Sequence, residues 1–306
     1  MRRFLPLFAV LACLAGCGGD DGGGSPQRGT LALDFQPNAV HAGIYAAENL
    51  RIRVPSSSTD SLKLLASGRA DMSVVDIHDL GLARERGSDI VGVGALVQRP
   101  LAAVIARPSD VHRPRDLEGR RVGVTGLPSD DAVLRAVVEH DGGSFERVDR
   151  ISIGFSAVPS LVTGRVDAVV SFWNAEGVAL RERGVDTREF RVDEYGAPRY
   201  PELVLAVTGK TLDERGELVD AMLDELERGT RLALRDREPI IEELVRASGA
   251  DEPLMRAQFE AVAPALTPPL RLDREALASW ARFDARFGIL RAAPDVKRAF
   301  RLAAGG

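Results

Sequence analysis

The sequence predicts an α/β protein built as two doubly wound lobes that face each other across a cleft and are joined by two crossovers. Three observations predict it. Short β-branched runs alternate with amphipathic helical stretches, the pattern of parallel strands covered by helices. The alternating unit restarts once, near Arg121. Both copies also carry one phrase at their third strand: Leu64-Leu65-Ala66-Ser67-Gly68-Arg69-Ala70-Asp71-Met72 lines up with Ser160-Leu161-Val162-Thr163-Gly164-Arg165-Val166-Asp167-Ala168. Each reads as a helix closing on a glycine, where φ can be positive, followed by a buried strand.

The first residues read as an address. Arg2 and Arg3 form a positive n-region, and Phe4 to Leu14 is apolar but too short to span a bilayer. Leu14-Ala15-Gly16-Cys17 resembles the bacterial lipobox, which implies a signal peptide over 1–17, lipid on the Cys17 thiol and a membrane anchor. Residues 18–29 are almost all Gly, Asp, Ser, Pro and Gln, too polar to bury a core, and read as a flexible tether. The body of about 275 residues suffices for two domains: lobe 1 over 30–104 plus 206–306, and lobe 2 over 105–205.

In lobe 1 the pattern predicts strands over 30–34, 51–54, 72–75 and 90–97, with helices over 39–49, 61–66 and 79–86. In lobe 2 it predicts strands over 121–124, 150–153 and 168–171, with helices over 130–140, 158–162 and 175–183. The extended runs Leu101 to Arg107 and Leu203 to Thr208 read as the crossovers. After the second the chain turns helical over 213–234, 238–247, 252–262 and 274–287. Leu277, Trp280, Phe283 and Phe287 recur at helical spacing, which makes Trp280 a core residue.

Composition narrows the chemistry. The net charge of −5 argues against general nucleic-acid binding despite the arginines. The only cysteines are Cys13, which leaves with the signal, and Cys17, so the body holds no disulfide, thiolate nucleophile or cysteine metal site. No cluster of His and acids stands at metal spacing, so neither metal nor cofactor is expected. Gly209-Lys210-Thr211 invites a phosphate-loop reading, but the glycine required five residues before Gly209 is Val204. No nucleophile elbow, paired catalytic acids or dinucleotide fingerprint is present.

In open parallel sheets ligands sit outside the carboxyl ends of the strands, so the informative residues follow Asp34, Val75, Val124 and Ser171. After the first stand Phe35, Asn38 and His41, close to a helix start whose free N–H groups point outward. After the second stand Asp76, His78 and Asp79, the last a natural N-cap. Ser129 and Asp130 open the first helix of lobe 2. Trp173, Asn174 and Glu176 follow the third strand of lobe 2. An exposed aromatic beside amide and acid groups suits a flat heteroaromatic ring, which stacks while its edge takes directional hydrogen bonds. Tyr200 and Glu202 precede a crossover and can hold the hinge.

Five segments carry a resemblance: Pro37-Asn38-x-x-His41-Ala42-Gly43-x-Tyr45, Gly68-Arg69-Ala70-Asp71, Leu96-Val97-Gln98-Arg99-Pro100, Phe172-Trp173-Asn174-x-Glu176-Gly177 and Tyr200-Pro201-Glu202-Leu203-Val204-Leu205. Together they resemble the thiamine-pyrimidine-precursor-binding proteins of ABC importers, from about Leu31 to Thr208. The resemblance implies a type II periplasmic-binding-protein fold. It implies as ligand an aminopyrimidine such as formyl-aminomethyl-pyrimidine or hydroxymethylpyrimidine, and as partners an ABC permease and its ATPase; the chain itself is expected to be a monomer. It also implies that Trp173 stacks on the ring, that Glu176 accepts from the exocyclic amine and that Asn38 serves the ring edge. Phe35 stands where the family often has Trp. Asp76 and His78 replace a usual Tyr-Gln pair, which leaves a flavin or another nitrogenous ring open as ligand.

Two other classes share these features in part. Fungal-type pyrimidine synthases have the same lobes, but carry a cysteine-rich iron-binding motif and use pyridoxal phosphate with their own histidine. Here the body lacks cysteine, and its lysines are Lys63, Lys210 and Lys297 alone, which leaves few candidates for a Schiff base. No enzyme activity is expected. A receptor that signals instead of transporting would share every feature of the clamp.

Overall fold

The computed structural model describes residues 28–57, 60–109 and 111–302. The expected signal peptide, Cys17 and nearly all of the tether lie outside the described residues.

The chain forms β1 (Gly29–Ala32), a 3₁₀ turn (Ala39–His41), α1 (Ala42–Tyr45), β2 (Leu50–Arg53), α2 (Asp60–Ala66), β3 (Met72–Asp76), α3 (Ile77–Glu85) and β4 (Ile90–Ala95). It then passes to the second lobe with β5 (Ala102–Ala106), β6 (Arg121–Val124), α4 (Pro128–His140), β7 (Asp149–Ser152), α5 (Ala157–Val162) and β8 (Ala168–Phe172). A π-helical turn (Trp173–Gly177) leads into α6 (Val178–Glu182), followed by β9 (Arg188–Arg191). The chain returns through β10 (Leu203–Thr208) to α7 (Gly209–Glu214), α8 (Gly216–Arg235), α9 (Glu238–Ser248), α10 (Glu252–Val262), α11 (Arg274–Arg286) and α12 (Val296–Ala299).

Two five-stranded sheets result, in the orders β2-β1-β3-β10-β4 and β7-β6-β8-β5-β9. Each holds one strand that runs against its neighbours, β10 in the first and β5 in the second. Those two strands are the runs read from the sequence as crossovers. Each is a full ladder member of the lobe it enters, so the passages fall just before it, at 96–101 and 192–202. Ala102, Ala103 and Val104 therefore pair in the second sheet, and Leu203, Val204 and Leu205 in the first. The sequence signal missed β9, four residues of which only Phe190 is fully buried.

The repeated phrase has a physical account. Gly68 and Gly164 take φ of 69° and 74°, left-handed values that end α2 and α5 without a Cβ clash. The following aspartates then tie the third strand to the first. Asp71 Oδ2 accepts from Thr30 N at 2.8 Å, and Asp167 Oδ2 accepts from Arg121 N at 2.9 Å. In each lobe the carboxylate satisfies the N–H that the parallel ladder leaves over.

Two apolar clusters each draw residues from both sheets. The first includes Leu31, Met72, Val169, Trp173 and the inner faces of α8 and α10. The second includes Val75, Leu80, Val122, Leu134 and Trp280. Along α8 the buried positions are Val219, Met222, Leu226, Gly229, Thr230 and Ala233, the stripe of a helix laid on a core. Gly229 lets it press on α1: a Cβ there would collide with the Gly43 carbonyl oxygen. Trp280 is fully buried, as its spacing predicts. Among the described residues no helix is long and apolar enough to cross a membrane.

Candidate functional site

A cleft of about 920 Å³, its mouth included, opens between the sheets at the carboxyl ends of β1, β3, β6, β7 and β8. The first lobe brings Asp34, Phe35, Asp76 and Asp79 to it; the second brings Thr125, Ser129, Asp130, Phe155, Phe172 and Glu176; Glu202 and Leu203 reach it from the returning passage. The lobes touch across it. Ser129 Oγ donates to Asp79 Oδ2 at 3.1 Å, and the Phe35 and Phe155 rings meet edge-on with centroids 4.4 Å apart.

Helix starts deliver most of the acids. Asp76 caps α3 by accepting from His78 N at 2.8 Å, and Asp79 lies in the same first turn. Asp130 sits at the start of α4 and accepts from Thr125 Oγ1 at 2.7 Å and from Gly126 N at 3.0 Å. Carboxylates belong at such ends, where free N–H groups and the helix dipole favour negative charge. Burial nevertheless dominates their titration. Loss of solvent raises Asp76 well above the carboxylate range, with the charges of Asp79 and Glu202 adding to the effect. The same burial pushes Asp79 up to about 6 and Asp130 to about 7.

Glu176 and Phe172 come from one turn. Phe172 ends β8, and the π-helical turn folds Glu176 back so that its Oε2 accepts from Phe172 N at 3.2 Å. Burial raises Glu176 to about 7, and the charge of Asp34 contributes. Asp34 is itself held by His41, whose Nε2 lies 2.9 Å from its Oδ1. Glu202 ties the two passages together: its Oε2 accepts from Ala102 N at 2.7 Å and also from Leu101 N, while its Oε1, buried at the cleft, has no hydrogen-bond partner.

Of the ten candidates from the sequence, the cleft brings together Phe35, Asp76, Ser129, Asp130 and Glu176. The other five stand outside its lining. Asn38 spends its side chain as a cap, accepting from Val40 N at 3.0 Å and donating to Gln36 O at 3.0 Å. His41 is fully buried, its Nδ1 accepting from Asn38 N at 3.3 Å and its Nε2 set against Asp34. His78, in the first turn of α3, is fully buried, with Nδ1 2.6 Å from Asp284 Oδ1 and Nε2 3.0 Å from Tyr200 Oη. Burial alone lowers an imidazole, but the Asp284 carboxylate outweighs it and holds His78 at about 10. Trp173, expected exposed, is 5% accessible. Its Nε1 donates to Pro100 O at 3.2 Å, and the Arg191 guanidinium lies 4.4 Å from its ring centre. Asn174 is buried beside it, its side-chain oxygen and nitrogen without partners.

The aromatic faces at the cleft are therefore Phe35, Phe155 and Phe172. Sequence reasoning missed Phe155, because the stretch after β7 shows no pattern beyond a glycine and a lone aromatic. It reached Phe172 only as the neighbour of Trp173. Asp34, Asp79 and Glu202 were legible as strand-end, cap and hinge residues, and the structure adds that all three face the cleft. Among the described residues no three His, Cys, Asp or Glu side chains come together as a group that could hold a metal ion. The arrangement can stack a flat ring between lobes and bond its polar edge.

A family model described as NMT1/THI5 like matches residues 38–239. The chain belongs to that family. It is 33% identical over 233 residues to a formylaminopyrimidine-binding protein of Halalkalibacterium halodurans, covering 72% of this chain and 71% of that one. It is 22% identical over 235 residues to the 4-amino-5-hydroxymethyl-2-methylpyrimidine phosphate synthase THI5 of Saccharomyces cerevisiae, covering 69% and 68%. Among solved structures, the alkanesulfonate-binding protein SsuA of Xanthomonas axonopodis superposes with a TM-score of 0.72 at 18% identity, over 91% of this chain and 99% of that one. The periplasmic aliphatic sulphonate-binding protein SsuA of Escherichia coli does so with a TM-score of 0.71 at 17% identity, over 92% and 95%. The two-lobed periplasmic-binding fold expected from the sequence is the fold of this family member.

Proposed function

We propose that this chain is an extracytoplasmic solute-binding lipoprotein, anchored through Cys17. It closes on a thiamine pyrimidine precursor, formyl-aminomethyl-pyrimidine or hydroxymethylpyrimidine, and delivers it to an ABC permease and its ATPase. The observation that carries the reading is the cleft itself: three phenylalanine faces and the Glu176 carboxylate, contributed by two lobes, in a relative of a formylaminopyrimidine-binding protein. A ring placed against Phe35, Phe155 and Phe172 touches both lobes, so its binding favours the closed form. Glu176, when ionised, offers only acceptors and suits an exocyclic amine.

The synthase relatives raise the alternative of an enzyme. A pyridoxal aldehyde held as a Schiff base needs a lysine amine in the cleft, and a synthase that consumes its own histidine needs an imidazole there. The described lining contains neither a lysine nor a histidine. Binding without chemistry accounts for the residues present.

The test is calorimetric titration of the protein with formyl-aminomethyl-pyrimidine, hydroxymethylpyrimidine, thiamine and riboflavin. One-to-one binding of a pyrimidine, weakened by about 1–3 kcal/mol in Glu176→Ala, supports the reading. Silence for both pyrimidines with binding of riboflavin would replace it.

A further inference from the structure

The cleft is lined by six carboxyl groups, those of Asp34, Asp76, Asp79, Asp130, Glu176 and Glu202, and among the described lining residues there is no lysine, arginine or histidine. An acidic group of this size is unusual in a site that must be desolvated on closure. Its polar capacity is also unspent, since the buried Glu202 Oε1 has no partner. The cations whose charge reaches these acids, His78 at Asp76, Asp79 and Glu202, and Arg86 at Asp79, lie outside the lining.

The usual anion sites of such a fold are already filled. Helix N-termini hold phosphates and carboxylates through free N–H groups and the dipole. Two helix starts that face this cleft are occupied by the chain's own acids: Asp76 takes His78 N at the head of α3, and Asp79 takes the Ser129 backbone N–H at the head of α4, where Asp130 also takes Leu127 N, the cap residue. An incoming anion would find no cation in the described lining and would meet an acid at the heads of both α3 and α4.

We propose that the cleft selects its ligand by charge, accepting an aminopyrimidine with a neutral or cationic substituent and rejecting the same ring as its phosphate monoester. The inference rests on the pyrimidine reading above and adds which chemical form of the ring is taken. It separates this protein from the synthases of its family, whose named product is a phosphate. Asp79 and Glu176, one from each lobe, are the specificity-determining acids. Both line the cleft, and both can be replaced by amides of the same shape.

The experiment uses the full chain and three forms of one ring: aminomethylpyrimidine, hydroxymethylpyrimidine and hydroxymethylpyrimidine phosphate, titrated at fixed ionic strength and at a pH of about 8.5, where Asp79 and Glu176 are both ionised, against wild type and the D79N/E176Q variant. Expected is a phosphate ester at least about 100-fold weaker than the alcohol, since like charges placed together in a closed site cost several kcal/mol. The gap should narrow about tenfold in the double variant, whose side-chain volumes are unchanged. An undiminished gap in that variant would make the rejection steric and overturn the proposal. Equal binding of all three forms, or tighter binding of the phosphate, overturns charge selection and leaves the pyrimidine reading standing. No binding of any form removes both.

Discussion

Ser129 Oγ donates to Asp79 Oδ2 at 3.1 Å, and this bond joins the first turn of α4 in one lobe to the first turn of α3 in the other. Both residues are buried. The bond exists only while the lobes are together, and it places a hydroxyl against a carboxyl that burial raises to about 6. Closure thus has a contribution from the protein itself, independent of ligand.

Ser129→Ala should therefore favour the open form. Removing the hydroxyl leaves Asp79 only the Ser129 backbone N–H across the cleft, at a cost of about 1–2 kcal/mol to the closed state. Pyrimidine affinity is expected to fall roughly fivefold to thirtyfold, with a larger radius of gyration by small-angle scattering. Unchanged scattering together with unchanged affinity would remove the bond from the closing step.

Trp173 tests the division between cleft and core. Its indole packs against Arg191 and bonds Pro100 O at the passage between lobes. Trp173→Phe should cost about 1–3 kcal/mol of stability through the lost volume and hydrogen bond, and leave pyrimidine affinity within about twofold. Phe172→Ala should do the opposite at the site and weaken binding about tenfold, the scale of one aromatic contact. Urea unfolding and titration read the two effects separately. A large affinity loss in Trp173→Phe with the fold intact would restore the indole as the stacking platform.

That division also marks how much the sequence discloses. The lobes, their restart and most elements follow from period and punctuation, because burial of one face dictates both. The aspartates of the repeated phrase are legible as motif, and their use as strand clamps is local chemistry. Which side chain of Phe172-Trp173-Asn174-x-Glu176 faces the cleft is another matter. The π-helical turn inserts extra backbone at Trp173–Gly177, so Phe172 and Glu176 turn outward while Trp173 and Asn174 turn into the core. No periodicity argument contains that insertion. His78 is similarly opaque, since its partner Asp284 lies 206 residues away. Asn38 reads as a ligand contact, and the geometry of the Ala39–His41 turn makes it a cap instead.

The pH dependence of stability has a definite sign. Glu176 and Asp130 titrate near 7 in the folded protein, and Asp79 near 6, all raised by burial from ordinary values near 4. The native state then holds more protons than the unfolded chain between about pH 4 and 7, so stability falls as pH rises through that window. His78, raised to about 10, acts in the same direction at higher pH: its contribution is complete below about 6.5 and disappears as pH climbs through the folded value. The melting temperature of ligand-free protein should thus decline from pH 5 to pH 8. Glu176→Gln should flatten that decline, since the amide carries no proton to lose. A melting temperature that rises over this range would contradict the buried-acid account.

His78 and Asp284 make the last prediction, because they separate a structural ion pair from a ligand contact. Both side chains are fully buried, with Nδ1 2.6 Å from Oδ1, and they pin α11 beneath α3. Removing one partner strands a buried charge, so Asp284→Ala should cost about 3–5 kcal/mol of unfolding free energy. Replacing both by apolar residues, as in H78L/D284L, should recover much of that loss, because desolvation of the ions disappears along with their attraction. Tyr200 Oη, left without its imidazole, sets a residual cost. Pyrimidine affinity should persist in every variant that folds, since neither residue reaches the cleft lining. A double variant as unstable as Asp284→Ala would mean the pair contributes more than mutual neutralisation. Loss of binding in a folded double variant would show that the pair acts on the site through Asp76, the α3 cap two residues before His78.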